Sequence, residues 1–408
     1  MKGNIITVDV SKGTCHYQGF LGDAGSPFRK PKVLKDTKAG FEELAALKEA
    51  MQKRSETENI SVVFEATGVY HRPLQKFLDD MHWDYYIISP LLSAATRKTD
   101  IHGNKTDPLD CTSIATVYYQ AVKKPLRKHE AWPEQYQKIH DFNRIYESEL
   151  VHLKQRKVRF RSTLDIVYPT LDKCFKGRAS LYDSVPMEIL KKYPHPELLL
   201  KHKEETIVRA IVKRTNHNDK FIRDIVHKMY ECAKQCYSGC EADDFEASIL
   251  PDLIEELQRQ EVRCGELLSE LIEEAQKIPY FYQILTIPGV GENLAARLLA
   301  EIGDPTRFED KNQLIAYAGI DPKIRASGDI DGTHLHITKK GNRRLRCLLY
   351  LAASCNYRSR KDDPIRLFNI KKRQQSLPLK PKAATVAASH KLLVIIYGMC
   401  KNGTEYHF

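Results

Sequence analysis

Four carboxylates stand in an order that suits chemistry on phosphate. Asp9 closes the β-branched run Ile5-Ile6-Thr7-Val8, Glu65 closes Val62-Val63-Phe64, and Asp107 and Asp110 follow in a segment of helical character. The last two are spaced i, i+3, which puts them on one helical face where they can converge on the two strand-borne groups. Hard divalent cations take oxygen ligands, and Mg²⁺ held by a few carboxylates keeps positions for water and a substrate phosphate. Two ions about 3.5–4 Å apart stabilise the attacking and leaving oxygens of an in-line phosphoryl displacement, which is the chemistry of nucleases and transposases. Each residue alone has a plainer use: Asp107, with Pro108 after it, is well placed to start a helix. The order of the set carries the reading.

Three further features could serve the same chemistry. Pro288-Gly289-Val290-Gly291 precedes an apolar-periodic helix and resembles a helix-hairpin-helix turn, whose backbone N–H groups cradle a DNA phosphate. An ordinary tight interhelical turn would have the same local shape. Ser327-Gly328 lies in a polar loop upstream of the basic run Lys339-Lys340-Gly341-Asn342-Arg343-Arg344-Leu345-Arg346. A serine attacks phosphate only with help from a base, a metal or a cationic environment, and most loop Ser-Gly pairs are turns. Cys232, Cys236 and Cys240 fall at i, i+4, i+8, which would place them on one helical face. With His227 or His217 they could form a zinc site, but no CxxC pair is present, and buried helical thiols are the preferred reading.

The elements needed to hold these groups are legible. Residues 4–10 and 15–20 read as a strand hairpin, 61–65 and 85–88 as further strands, and 38–53, 69–81 and 107–121 as helices, giving an α/β domain over 1–125. Residues 126–280 read as helical. Two long segments, 132–166 and 252–277, could form a coiled-coil stalk, with Leu253, Leu257, Cys264, Leu267 and Leu271 near heptad spacing. A helical insertion at 168–247, broken by prolines, lies between them. Residues 281–408 read as mainly helical, with helices over 342–355 and 383–399 joined by a basic link at 356–381.

A chain of 408 residues, 42% apolar and 29% charged, has ample material for packed domains and is neither disordered nor fibrous. The formal charge is +11, and residues 321–380 hold 15 Lys and Arg against 5 Asp and Glu. Such a localised cationic region points to a polyanion, most often nucleic acid. The longest apolar run, 392–399, is far short of a membrane span, and Asp9 interrupts any signal-peptide layout. Ten scattered cysteines then suit reduced thiols in a cytoplasm.

Taken together, Ile6-Thr7-Val8-Asp9-Val10-Ser11-Lys12, Phe64-Glu65-Ala66-Thr67-Gly68-Val69-Tyr70, Lys105-Thr106-Asp107-Pro108-Leu109-Asp110, Ile287-Pro288-Gly289-Val290-Gly291 and the run 337–346 resemble the DEDD transposases of the insertion-sequence 110 family, relatives of the Piv DNA invertases. The resemblance implies a RuvC-like, RNase H-type domain with Asp9, Glu65, Asp107 and Asp110 as its Mg²⁺ tetrad. It implies a coiled-coil middle used for self-association into a homodimer or homotetramer, and a C-terminal transposase domain whose serine becomes linked to DNA. Ser327 fits that serine's place, with Thr333 and Thr338 as poorer substitutes. It also implies a structured bridge RNA that pairs with donor and target DNA, and a bacterial, nucleoid-associated protein. Gly289, Gly291, Lys339, Lys340, Asn342, Arg343, Arg344 and Arg346 are the expected nucleic-acid contacts. The insertion at 168–247 is larger than shorter family members need.

Three other readings remain at this level. A junction resolvase or nuclease would use metal-activated water with no covalent intermediate. An actin-like sugar kinase or ATPase could use Asp9-Val10-Ser11-Lys12-Gly13-Thr14 as a phosphate loop, but a second Gly-rich loop in a second α/β domain is lacking. An architectural DNA- or RNA-binding protein would keep the carboxylates for structure.

Overall fold

The structure, a computed structural model, describes residues 3–12, 15–66, 68–88, 107–120, 128, 132–175, 180–322 and 336–408, with the backbone alone at 107–109. Two compact units divide the chain, Met1–Ala131 and Trp132–Phe408, and each is described by itself.

In the first unit, β1 (Asn4–Asp9), β2 (Cys15–Phe20), β3 (Lys32–Leu34), β4 (Ile60–Glu65) and β5 (Tyr85–Ile88) form a sheet in the order β3-β2-β1-β4-β5. β1 to β3 run antiparallel as a meander, and β4 and β5 add in parallel through helical crossovers. This mixed sheet is consistent with an RNase H-like fold. Among the described residues three helices accompany it: α1 (Lys38–Ser55), α2 (Arg72–Asp80) and α3 (Asp107–Gln120). The side-chain period of two splits the apolar residues between faces. Ile6, Val8, Val62 and Phe64 pack with Leu44, Met51, Leu74 and Leu78 of α1 and α2, whereas Ile5, Phe20, Val63 and Ile88 pack with Ile114 and Ala115 of α3.

Two local expectations change. The helix expected over 69–81 begins only at Arg72, because Gly68 takes φ +53° and residues 68–71 form a turn. The edge strand β3 was not foreseen. It has only three residues and pairs through Cys15, His16 and Tyr17, so it depends on β2 rather than on its own pattern.

The second unit is helical. α4 (Glu134–Val167) is followed by α5 (Ser184–Lys192), α6 (Pro196–Leu200), α7 (Glu204–Val212) and α8 (Asp219–Gln235), and then by α9 (Phe245–Gln276). α10 (Tyr280–Leu285), α11 (Glu292–Ile302), α12 (Lys311–Ala318), α13 (Arg343–Arg358), α14 (Pro364–Gln374) and α15 (Pro381–Asn402) complete it. α4 and α9 pack antiparallel, as the ion pairs Lys138–Glu274 (2.8 Å) and Lys157–Glu261 (2.8 Å) require. With 34 residues, α4 extends about 51 Å at 1.5 Å per residue.

Each end of the α4–α9 pair enters a core. Phe160, Leu164 and Val167 join Leu250, Ile254 and Leu257 beneath α5 to α8, while Tyr136 and Ile139 join Leu271 and Ala275 beneath α10 to α15. The heptad-like seam is thus filled from within the chain. α9 starts seven residues before the expected 252, despite Pro251, because Ala247 and Leu250 continue its buried face. Packing outweighs the one lost hydrogen bond and the ring's crowding.

Two more expectations are corrected here. The link expected over 356–381 contains α14, capped by Asp363, whose Oδ1 accepts from the N–H groups of Ile365 (2.8 Å) and Arg366 (3.3 Å), with Pro364 in the first turn. α15 is long and apolar enough to cross a membrane by length and composition, which the short run 392–399 did not suggest. Half of its apolar window is buried, and Leu392, Leu393 and Ile396 lie in the core, as befits a central helix of a bundle.

One polar network crosses that core. The Glu301 carboxylate is fully buried and accepts from Asn143 Nδ2 (2.8 Å), Arg144 Nη2 (3.2 Å) and Asn342 Nδ2 (2.7 Å), joining α11 to α4 and to the start of α13. Arg297 extends it to Asn143 Oδ1 (3.3 Å) and Glu147 (3.2 Å). Removing the carboxylate would strand buried donors and a cation. Glu301→Ala should therefore cost about 3–5 kcal/mol, with Glu301→Gln costing less. Thermal unfolding of the full chain measures both, and unchanged midpoints would contradict the network's role.

Candidate active site

The first unit places the two strand-borne carboxylates at the same end of adjacent strands. β1 and β4 are parallel neighbours with Val8 opposite Phe64, so Asp9 and Glu65 end adjacent strands at the same edge, about 4.8 Å from strand to strand. By alternation, Asp9 follows Ile5 and Thr7, and Glu65 follows Val63, onto the face that α3 covers. α3 begins at Asp107 and packs along β1 and β2. All three described carboxylates, Asp9, Glu65 and Asp110, are half-buried. The Asp107 side chain lies outside the described residues; its backbone is at the first position of α3, one turn before Asp110.

Cys111 ties α3 to the β1–β2 hairpin. Its thiol is fully buried and donates to the carbonyl of His16, the residue paired with Asp9 across the β1–β2 ladder, at 3.4 Å. Burial above all, with the charges of Asp9 and Asp110 adding to it, pushes this thiol up to about 12; a hydrogen bond from the Asp9 backbone acts the other way.

The donor set fits a hard cation: oxygen ligands from two strand ends and a helix start, with no thiol or imidazole among them. The compact ligand cluster among the described residues lies elsewhere. Glu204, His227 and Glu231, on α7 and α8, have ligand atoms within 4.8 Å of one another and could hold a metal ion. Here the His227 ring meets Glu204 at 3.2 Å and Glu231 accepts from Lys234 at 2.7 Å. This mixed nitrogen and oxygen set is exposed or half-exposed.

In the second unit, Pro288-Gly289-Val290-Gly291 joins α10 to α11. Gly289 has φ +83°, and a Cβ there would lie 2.5 Å from the backbone nitrogen of Asn356 on α13. The side chain of Asn356 donates to the Pro288 carbonyl (3.0 Å) and to Asp363 Oδ2 (2.9 Å), fastening the turn to α13 and α14. Gly291 caps α11 and has open space around it. The two glycines thus have different reasons: close packing at the first, an exposed helix start at the second.

The polar loop is clasped at its base. Pro322 pairs with Ile337, and Thr338 donates its N–H to the Asp321 carbonyl (2.9 Å) and its Oγ1–H to Asp321 Oδ1 (2.6 Å). Ser327 and Thr333 lie outside the described residues. Gly341 follows, so close to the Tyr317 carbonyl that a Cβ would meet it at 2.4 Å. Asn342 then caps α13, accepting from the N–H groups of Arg344 (3.0 Å) and Leu345 (3.1 Å), while its amide donates to Glu301.

The basic run divides by contact. Arg344 pairs with Glu147, and Arg346 donates to the Ala318 carbonyl (2.8 Å). Lys339, Lys340 and Arg343 are exposed and in no ion pair among the described residues. Sequence reasoning missed Cys111, Asp321 and Glu301. The last was readable as a lone carboxylate in the apolar period of α11.

The cysteine expectation is corrected. α8 ends at Gln235, Cys236 takes an extended conformation, and Cys240 lies in the following loop, so the three share no helical face. His217 contacts Ser184 Oγ (3.0 Å) and His227 contacts Glu204, so both imidazoles are engaged elsewhere. Cys232 packs beside Cys174, and burial pushes its thiol up to about 12.

Comparison with known proteins agrees with both halves of this arrangement. The family model for DEDD transposases of the IS110 type matches residues 6–169, and that for the transposase IS116/IS110/IS902 family matches 282–368. The mini-circle protein of IS117 from Streptomyces coelicolor is 28% identical over 324 residues, covering 77% of this chain and 75% of that protein. The insertion element IS116 protein of Streptomyces clavuligerus is 26% identical over 222 residues, 54% of this chain and 53% of the relative. The pilin gene-inverting protein of Moraxella lacunata is 29% identical over 138 residues, 34% and 42% respectively. The chain thus spans less than two thirds of the last two. Both matched families are transposases. The chain belongs to the IS110/IS1111 family of DEDD transposases, related to the Piv invertases.

Two outcomes follow. At pH 8 the Cys111 thiol stays protonated, so in the folded protein iodoacetamide should label exposed Cys347 and spare Cys111; mass mapping showing both labelled at similar rates would contradict this. Gly289→Ala should destabilise the second unit by about 1–3 kcal/mol through backbone strain and crowding. Gly291→Ala, at an N-cap where Ala is the poorer residue but its Cβ meets open space, should cost less, about 0.5–1 kcal/mol; urea midpoints compare the pair.

Proposed function

We propose that this chain is an RNA-guided DNA recombinase that moves a bacterial insertion sequence by cleaving, exchanging and rejoining strands. The observation that carries the proposal is the placement of Asp9 and Glu65 on adjacent strand ends, facing the helix that bears Asp107 and Asp110. In this reading residues 1–125 are a RuvC-like catalytic domain, 126–280 a coiled-coil region with its helical insertion, and 281–408 a transposase domain with a helix-hairpin-helix-like turn.

Asp9, Glu65, Asp107 and Asp110 would hold two Mg²⁺ ions against the scissile phosphate. Bound there, Mg²⁺ supplies positive charge to the oxygens on which negative charge develops. The Ser327 oxygen forms a new ester bond to phosphorus as the bond to one strand end breaks. Its hydroxyl proton passes to solvent and the departing oxygen takes one up. The phosphoester energy is kept in the protein–DNA link, so the reverse attack rejoins a strand without ATP. Gly289, Gly291, Lys339, Lys340 and Arg343 position the DNA or RNA backbone, while Arg344, Arg346 and Asn342 order the start of α13.

The family's bridge RNA supplies pairing to donor and target, and the +10 excess over 321–380 supports a polynucleotide partner there. A cytoplasmic homodimer or homotetramer, with the acidic pocket of one protomer serving the serine of another, completes the reading. Trapping on labelled donor DNA with the RNA present tests it. Wild type should give a denaturation-resistant adduct that Ser327→Ala abolishes, and Asp9→Asn or Asp110→Asn should lower cleavage by at least 100-fold while leaving DNA binding intact. Clean hydrolysis without an adduct would favour a resolvase using water. Recovery of activity on mixing Asp9→Ala with Ser327→Ala protein would support sites shared between protomers.

A further inference from the structure

A concave, basic site lies apart from the residues discussed above. Between the C-terminal half of α13, α14 and the first turn of α15 opens a cleft of about 180 Å³, whose walls include Tyr350, Tyr357, Arg358, Arg373, Lys382 and Thr385 and no carboxylate. Three cations around one small space repel one another, and an anion between them would relieve the cost.

Arg373 is fixed in place. Its guanidinium carbon sits 4.2 Å from the centre of the Tyr357 ring, and its Nε donates to Asn369 Oδ1 at 2.8 Å. Asn369 is itself buried and contacts Thr385 Oγ1 at 3.4 Å, which donates to the Pro381 carbonyl at 3.0 Å. The fork is therefore held in advance, with its terminal Nη donors unused by any described acceptor. Other cations of these helices differ: Arg344 pairs with Glu147 and Arg366 with Asp362. Arg358, Arg373 and Lys382 are in no ion pair among the described residues, and Arg358 and Lys382 are exposed.

We propose that this cleft binds a backbone phosphodiester of a polynucleotide, with Arg373 as the pre-positioned fork and Arg358 and Lys382 closing on the same or the adjacent phosphate. Planar guanidinium donors match phosphate oxygens, and no base is read. Arg343 and Arg358 begin and end α13, so about 22 Å separates this subsite from the basic run at the helix start. One strand could cross both. That the anion is a polynucleotide rests on the function proposed above, whereas the cationic cleft does not.

Fluorescence anisotropy of the full chain with a 30-base-pair duplex DNA and with a folded RNA, over a range of salt, tests the site. Arg358→Gln/Lys382→Gln changes exposed side chains only; Arg373→Gln is the second variant, with thermal unfolding checking each fold. For the polynucleotide that occupies the cleft, the double variant should weaken binding at least tenfold at low salt. The slope of log affinity against log salt should fall by about 1 to 2 for duplex DNA, at about 0.9 for each phosphate no longer neutralised. Loss on the DNA arm or on the RNA arm supports the cleft and names the strand. If wild type binds and the double variant matches it in affinity and slope on both arms, the cleft is overturned and the recombinase reading stands. If wild type binds neither, both fall.

Discussion

Because β1 pairs with β4 in parallel and Val8 lies opposite Phe64, the two strands run out together at Asp9 and Glu65. That register governs where both carboxylates lie. A slip of one residue would turn every side chain of one strand to the other face. It would send Asp9 toward α1 and α2 and bring Val8 against α3. The apolar residues forbid this, since Ile6 and Val8 are fully buried on one face and Ile5 on the other. α3 is then seated on the Asp9 face by Ile114 and Ala115, and Cys111 meets the strand beside Asp9. Packing of uncharged groups thus sets where Asp9 and Glu65 lie.

The second unit solves a comparable problem with polar contacts. A basic segment is not readily held by burying its cations, which would have to shed water. Instead the backbone just before α13 is fixed: Gly341 packs against α12, and Asn342 caps α13 while reaching the buried Glu301. Lys339, Lys340 and Arg343 are left exposed around that anchor. The α4–α9 pair ties this core to the helical insertion through Tyr136 and Leu271 at one end and Leu164 and Leu257 at the other.

Elements with strong periodic patterns were legible in the sequence. β1, β2, β4, β5, α1, α3 and α4 fall within a few residues of expectation because their apolar residues repeat with the period of the structure they form. The misses share a cause. β3 exists through pairing with Cys15 to Tyr17, the extension of α9 through Ala247 and Leu250 exists through burial across Pro251, and α14 exists through Asp363, held by Asn356 and Tyr406. In each case a partner distant in sequence decides. The positions of Asp9 and Glu65 at strand ends were legible because β1 and β4 are periodic up to those residues. Asp321 was not, and Glu301 stood out only as a carboxylate among apolar residues, since the roles of both lie in Asn143, Arg144, Asn342 and Thr338, which only the folded chain brings to them.

The central claim is that oxygen ligands from β1, β4 and α3 form a site for divalent cations. Crystals grown with Mn²⁺ in place of Mg²⁺, measured for anomalous scattering, test it directly. The account predicts one or two peaks bounded by the carboxylates of Asp9, Glu65, Asp107 and Asp110, absent in Asp9→Asn crystals of the same form. Density only at Glu204, His227 and Glu231, with none beside Asp9 at saturating Mn²⁺, would contradict it.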